Sequence, residues 1–290
     1  MNTARTPIRL KGSQDRLQKA LKAVDAMHHQ LIELNEKLLC AEALKTRFLA
    51  LMRNEINNPL NDIMGLADRI MDPLVPTEKA RHLATLVKDE AFQLDCQIRN
   101  VFCAAELEAG EAAACLARVD VESVVRDVMD SFRPSAEAKG LEVTLHLDLG
   151  NPSFLSDGEM LHHILANLVA NAIQFSDPPG TVVVRVTGGV DRLFLEVADQ
   201  GPGIPESNLK EIFEPFHPHG GIYKVQRGQG LGLPVVKALV DLLYGELKVE
   251  TEPGQGSRFL ASLPSAPAVD EMGAAATDDN ILIFDEPQAF

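Results

Sequence analysis

The sequence lacks any long apolar run. Its longest hydrophobic stretches are short and broken by Asn, Arg or Gly, well below the roughly 18 residues that suggest a membrane-spanning helix. No direct membrane span is expected. No apolar core follows the mildly basic N-terminus, so no signal peptide is read and a cytoplasmic location is the expectation. Paired cysteine spacing is also missing. Cys40, Cys96, Cys103 and Cys115 form no CxxC, which suggests neither a zinc site nor a thioredoxin-like motif. Cys96 and Cys103 are seven apart and share a helical face; the preferred reading is small apolar packing residues in a reducing compartment. Positive charge is scarce: 27 Lys and Arg stand against 42 Asp and Glu, a formal charge of −15. Nucleic acid is therefore excluded as a general partner, because phosphate backbones are held by clustered Lys and Arg. The acidity is partly local, since residues 259–290 hold six acids and no Lys or Arg.

What is present fits a globular chain of 290 residues with 46% apolar and 24% charged residues, enough for about two domains. Residues 15–52 read as one long helix. Leu17, Val24, Leu31 and Leu38 repeat every seven, and Ala20, Met27, Leu34, Ala41 and Phe48 fill the positions three further on. This is a coiled-coil seam, which needs a partner helix and predicts a homodimer; the alternative is one amphipathic helix packed on its own domain. The helical pattern continues through Pro59, where a kink is expected, to about Asp72, and Pro73 and Pro76 end it. A second helix is predicted from near Thr77, with Glu78 at its positive end and Val87, Ala91, Leu94, Ile98, Val101 and Ala105 at helical spacing, until Gly110 stops it. Two such hairpins, one per chain, would make a dimeric four-helix bundle.

From residue 116 short strands (about 117–119, 141–148, 181–187, 192–199, 246–252 and 257–263) alternate with helices (about 121–138, 157–175 and 231–243), an α/β sandwich. The expected divisions are a coiled coil over 1–44, a helical hairpin over 45–115, the sandwich over 116–264, and an acidic, disordered tail over 265–290. The end of that tail, residues 278–287, faintly resembles the first strand of a receiver domain. An acidic tail with a sticky apolar patch is the preferred reading, and a docking peptide is the other.

Four segments of the sandwich carry chemistry. The first holds Asn167 and Asn171, four apart, so both amides project from one helical face; Ser156 and Glu159 read as a capping box at that helix's start. The second, directly after a strand, is Asp199-Gln200-Gly201-Pro202-Gly203. The third is Gly228-Gln229-Gly230-Leu231-Gly232, leading into a helix. The fourth is Gly254-Gln255-Gly256, between two strands. A carboxylate at a strand end can accept a hydrogen bond from an exocyclic amine such as adenine's, and glycines beside it let the backbone approach a flat base. Glycines before a helix expose N–H groups at its positive end, where phosphates bind. A side-chain amide oxygen is a hard ligand suited to Mg²⁺. Each segment alone reads as an ordinary turn or loop; four in this order are hard to reconcile with chance.

With these motifs in place, residues 45–263 resemble the catalytic core of sensor histidine kinases: a dimerisation hairpin followed by the Bergerat, or GHKL, ATP-binding fold shared with gyrase and Hsp90. The resemblance implies ATP and Mg²⁺ as ligands. It implies that Asp199 contacts the adenine amine and that Asn171 holds Mg²⁺ with Asn167 beside it. Gly201 and Gly203 would border the base, and Gly228, Gly230, Leu231 and Gly232 the phosphates. Residues 214–230 would form a mobile lid offering Tyr223, Lys224 and Arg227, and Phe213-Glu214-Pro215-Phe216 resembles the family's phenylalanine box. Two positions depart from the pattern: Gln174 stands where Lys is usual, and Gln229 where Thr is usual.

A third departure concerns the phosphoacceptor. Residues 45–60 resemble the acceptor box F-L-x-x-M-S-H-E-I-R-T-P-L, and its histidine falls on Asn54, while Glu55, Ile56, Pro59 and Leu60 match. Imidazole attacks phosphate through a ring-nitrogen lone pair assisted by the adjacent carboxylate. The amide nitrogen of Asn54 has its lone pair delocalised, so Glu55 has no imidazole to activate. Gyrase-like relatives carry a Glu four residues before the Mg²⁺ Asn as base for water; Asn167 stands there, and an amide cannot accept the proton, which disfavours an ATPase. Three functions follow. One is a pseudokinase that binds ATP and a response regulator or another histidine kinase. Another is a response-regulator phosphatase in which Asn58, four residues after the acceptor position, orients water; its plainer role is to precede Pro59 in the helix. The last is an active kinase whose acceptor lies on a partner chain or is another histidine, among His28, His29, His82, His217 and His219.

Overall fold

The computed structural model describes residues 27, 28, 32, 35, 56–150, 153–189, 191–209, 211–214, 230–266 and 281–283. The chain divides into two compact units, Met1–Asn54 and Glu55–Phe290. In the first, residues 27, 28, 32 and 35 are helical; the rest of the expected coiled coil lies outside the described residues.

The second unit opens with a helical hairpin. Residues 56–71 form helix α1. Asp72 turns the chain: its Oδ1 accepts from Leu74 N (2.9 Å) and its carbonyl from Val75 N (3.0 Å), a local bond that favours turns over helix. Helix α2, Thr77–Ala109, follows Pro76 and ends at Gly110, whose φ of 69° is the left-handed conformation glycine adopts without cost. Phe92, Cys96, Cys103 and Ala104 of α2 pack against the core of the next domain. Burial pushes the Cys96 and Cys103 thiols up to about 11, so both are packing groups and not thiolates. Leu60, Met64, Met71, Leu74 and Phe102 stay exposed. No helix among the described residues is long and apolar enough to cross a membrane.

The remainder is a two-layer α/β sandwich. Its elements are β1 (Ala114–Asp120), α3 (Val121–Lys139), β2 (Leu141–Leu149), β3 (Ser153–Ser156), α4 (Gly158–Phe175), β4 (Gly180–Gly188), β5 (Arg192–Ala198), α5 (Gly232–Leu242), β6 (Glu246–Glu252), β7 (Gly256–Pro264) and β8 (Ile281–Ile283). Five strands make one mixed sheet in the order β2-β4-β5-β7-β6; β2 and β4 run parallel and the other pairs antiparallel. Alternation along the central strands turns Val182, Val184, Val186, Leu193, Leu195, Val197, Phe259, Ala261 and Leu263 to the core. Opposite them lie Val121, Val125 and Val128 of α3, Leu161, Ile164, Leu165 and Leu168 of α4, and Val235, Val236, Leu239 and Val240 of α5. Each of these Val, Leu, Ile and Phe side chains contributes about 1.5–3 kcal/mol on burial. The layer fixes α4 and α5 side by side, with the C-terminal end of α4 beneath the loop that follows β5.

Three details differ from the expectation. The cap of α4 is Asp157, not Ser156: Asp157 Oδ1 accepts from Met160 N (3.0 Å) and Oδ2 from Cys115 N (2.8 Å). That second bond ties the cap to β1, which a local capping box would not do. Ser153–Ser156, unassigned by periodicity, pair antiparallel with β1. Ile281–Ile283, placed by the sequence in the acidic tail, pair in parallel with Ala114–Leu116; residues 267–280 and 284–290 lie outside the described residues.

Leu165 is fully buried on α4 between the sheet and its neighbouring helices. Leu165→Ala is expected to cost about 2–5 kcal/mol through lost burial and the cavity left behind, read as a drop in the urea midpoint with an unchanged slope.

Candidate functional site

The loop after β5 is assembled by backbone contact. Asp199 N donates to Ser257 O (2.8 Å). Asp199 Oδ1 accepts from Gly201 N (2.8 Å) and Ser257 N (3.1 Å). Oδ2 has no partner among the described residues. Burial raises the Asp199 carboxyl above the ordinary value, against the pull of those two N–H groups. The glycines are steric necessities. A Cβ on Gly201 would lie 2.5 Å from Phe175 O. At Gly203, with φ of +68°, it would lie 2.1 Å from Glu252 O, and at Gly256, with φ of +87°, 2.1 Å from Asp199 O. The second and fourth segments and the end of α4 thus meet at one carboxylate.

One turn back along α4 a cavity of about 1020 Å³ opens between α4, the start of α5 and the hairpin. Asn167, Asn171 and Gln174 line it together with Gly230, Leu231 and Gly232; Asp199, Gly201 and Gly203 do not. A Cβ on Gly232 would come within 2.9 Å of Asn167 Oδ1 and 3.7 Å of Asn171 Nδ2, so the third segment lies directly on the first. Asn171 Nδ2 is buried without a partner among the described residues. Leu231, the residue before α5, makes no side-chain cap, and the first N–H groups of a helix are ready anion donors.

Asn167 is fully engaged. It exchanges two amide hydrogen bonds with Asn100 of α2: Asn100 Nδ2 donates to Asn167 Oδ1 (2.7 Å), and Asn167 Nδ2 to Asn100 Oδ1 (2.8 Å). Asn167 Nδ2 also donates to His163 O (3.0 Å). His163 Nε2 lies 2.7 Å from Asn100 Oδ1, so it must be the protonated ring nitrogen, since that oxygen can only accept. Desolvation, with His162 and Arg99 nearby, lowers the His163 pKa to about 4, and the ring is neutral near pH 7. Neither Asn100 nor His163 belongs to a motif. The available signal was a stripe of amides on α2, Gln93, Gln97 and Asn100, at i, i+4 and i+7.

Residues 156–267 match the family described as histidine kinase-, DNA gyrase B-, and HSP90-like ATPase. The chain is 30% identical over 275 residues to the circadian input-output histidine kinase CikA of Synechococcus elongatus, covering 92% of this chain and 36% of that one. It is 32% identical over 225 residues to the autoinducer 2 sensor kinase/phosphatase LuxQ of Vibrio parahaemolyticus, covering 75% and 26%. Among solved structures, full-length ShkA in complex with AMPPNP matches with a TM-score of 0.53 at 31% identity, covering 76% of this chain and 46% of that one. The chain belongs to the sensor histidine kinase family. It spans about a third of the length of the curated relatives it matches.

Within this histidine kinase framework the remaining site residues fall as follows. Asn54, Glu55, Tyr223, Lys224, Arg227 and Gly228 lie outside the described residues. Asn58 is exposed on α1, and His82 is exposed in the first turns of α2. Gln174, at the usual lysine position, lines the cavity beside Lys139 of α3, whose Nζ donates to Ile173 O (2.8 Å) and Gln174 O (2.6 Å). A cation therefore stands against the same wall although the helix itself supplies none.

His163 titrates at about 4 in the fold against an ordinary value of 6.5. Between those values the unfolded chain binds the extra proton, so stability must fall as pH drops from 6.5 towards 4. His163→Gln is expected to flatten that part of the thermal-stability profile; an unchanged slope would place the linkage elsewhere.

Proposed function

We propose that this chain binds ATP with Mg²⁺ and acts as a pseudokinase of two-component signalling, engaging a response regulator or another histidine kinase without receiving phosphate at position 54. The observation that carries the nucleotide reading is Asp199. Its Oδ1 is held by two backbone N–H groups, its Oδ2 has no partner among the described residues, and glycines wall the approach. Adenine's exocyclic amine is a donor of the kind that Oδ2 accepts. The family assignment and the AMPPNP bound to ShkA support the same ligand class.

Asn171 fits a metal–phosphate end. Its amide has a buried atom without a partner among the described residues, and a half-turn about its last torsion presents oxygen, a hard ligand for Mg²⁺, in place of nitrogen. Bound Mg²⁺ would neutralise charge on the phosphate oxygens. Asn167 supplies no base for water, being an amide already bonded to Asn100 and His163. The amide nitrogen of Asn54 has its lone pair delocalised into the carbonyl and is no nucleophile for phosphate. The exposed apolar side chains of the hairpin, Leu60, Met64, Met71, Leu74 and Phe102, support a homodimer built on this element. The absence of a candidate membrane span among the described residues is compatible with a cytoplasmic protein.

A second reading, regulator phosphatase, is favoured by one observation. Asn58 is an exposed amide on α1, free of core packing and able to orient water, and the Vibrio relative is named a kinase/phosphatase. Asn58→Ala would then lengthen the phosphate lifetime of an added phosphorylated regulator.

The primary reading is tested with radiolabelled ATP. Wild-type protein is expected to bind it and to carry no acid-labile label. Asp199→Asn should keep the fold, because the amide oxygen accepts the same two N–H groups, and should lose about tenfold or more in affinity. Ready labelling at residue 54, or undiminished binding by Asp199→Asn, would contradict the reading.

A further inference from the structure

Two amide stripes face each other across the cavity: Gln93, Gln97 and Asn100 on α2, and Asn167, Asn171 and Gln174 on α4. Asn100 and Asn167 close on one another through two hydrogen bonds. Gln97 and Asn171 stay open. Gln97 Oε1 and Asn171 Nδ2 are both buried, and neither has a partner among the described residues. Leaving a buried amide atom unpaired costs about 1–3 kcal/mol. Here the two unpaired atoms are complementary, one an acceptor and one a donor, on opposite walls of one cavity.

We infer that Gln97, supplied by the hairpin, is a ligand residue for the metal–triphosphate end of the nucleotide, so that the ATP-binding domain alone holds an incomplete site. The inference rests on the nucleotide reading of Asn171. A phosphate oxygen accepts from an amide N–H, and an amide oxygen serves Mg²⁺ or a water on it. Either amide can exchange its atoms by a half-turn, so the pair offers one donor and one acceptor in either order. The Asn100–Asn167 interlock, one turn away on each helix, holds the two walls at a fixed separation. Lys139, bonded to the carbonyls of Ile173 and Gln174 at the end of α4, brings positive charge to that wall; Arg69 and the acids Asp62, Asp89 and Glu90 line the cavity as well. The inference also accounts for Gln97 being an amide at a half-buried position where an apolar residue would satisfy packing.

The test is calorimetric titration of the full chain with Mg²⁺–AMPPNP and, separately, with adenosine. Gln97→Ala is expected to weaken Mg²⁺–AMPPNP about five- to twentyfold and to leave adenosine affinity within about twofold. Its thermal stability should be unchanged or raised, because an unpaired buried acceptor is removed. If the truncation lowers stability, Gln97→Met, which keeps the volume, makes the same comparison. Equal weakening of both ligands would show a merely structural role and overturn the inference. If Gln97→Ala changes nothing while Asn171→Ala weakens Mg²⁺–AMPPNP about tenfold, the inference fails and the nucleotide reading stands. If neither substitution matters, both fail.

Discussion

Between β5 and the β6–β7 turn the backbone comes closer to itself than any side chain would permit. Gly256 sits against the carbonyl of Asp199, Gly203 against that of Glu252, and Gly201 against that of Phe175. These approaches hold the Asp199 loop to the sheet on one side and to the end of α4 on the other. They also deliver the Ser257 and Gly201 N–H groups to Asp199 Oδ1. The carboxylate is thereby aimed while paying part of its desolvation back through hydrogen bonds, and its second oxygen remains for a ligand. The position of α4, and with it Asn171 and the cavity, follows from the same clasp, since Phe175 ends that helix.

Where α2 touches α4 the hydrogen bonds are made by neutral groups, Asn100, Asn167 and His163. An ion pair buried at that junction would carry a large desolvation cost, and a carboxylate at residue 167 would face Asn100 with two acceptors and no donor. The amide interlock avoids both problems and is completed by the Nε2–H of His163, which burial keeps neutral near pH 7. Asn167 is thus bound to the hairpin in this arrangement, while Asn171, one turn on, faces the open cavity. The two asparagines that look equivalent in sequence have different surroundings.

Much of the architecture is legible in the chain. Alternation marks β5, where Leu193, Leu195 and Val197 are buried between exposed or half-buried neighbours, and Gly110 marks the end of α2. Asp199 and its glycines are legible because the motif encodes a steric requirement. Ser153–Ser156 escaped because four residues show no period, and Ile281–Ile283 because their partners lie more than 160 positions away. Ser156 and Asp157 both suit a cap in sequence, and the bond from Met160 N to Asp157 Oδ1 decides for Asp157. Asn100 had no motif; its role exists only once α2 lies against α4.

The account turns on whether adenine nucleotide enters between Asp199 and Asn171. Amide hydrogen exchange of the wild-type chain with and without saturating Mg²⁺–AMPPNP addresses this most directly. Added protection is expected at Gly201 and Gly203, in residues 167–175 of α4, and at the facing turn of α2 around Gln97. Exchange unchanged throughout residues 156–267 would contradict it.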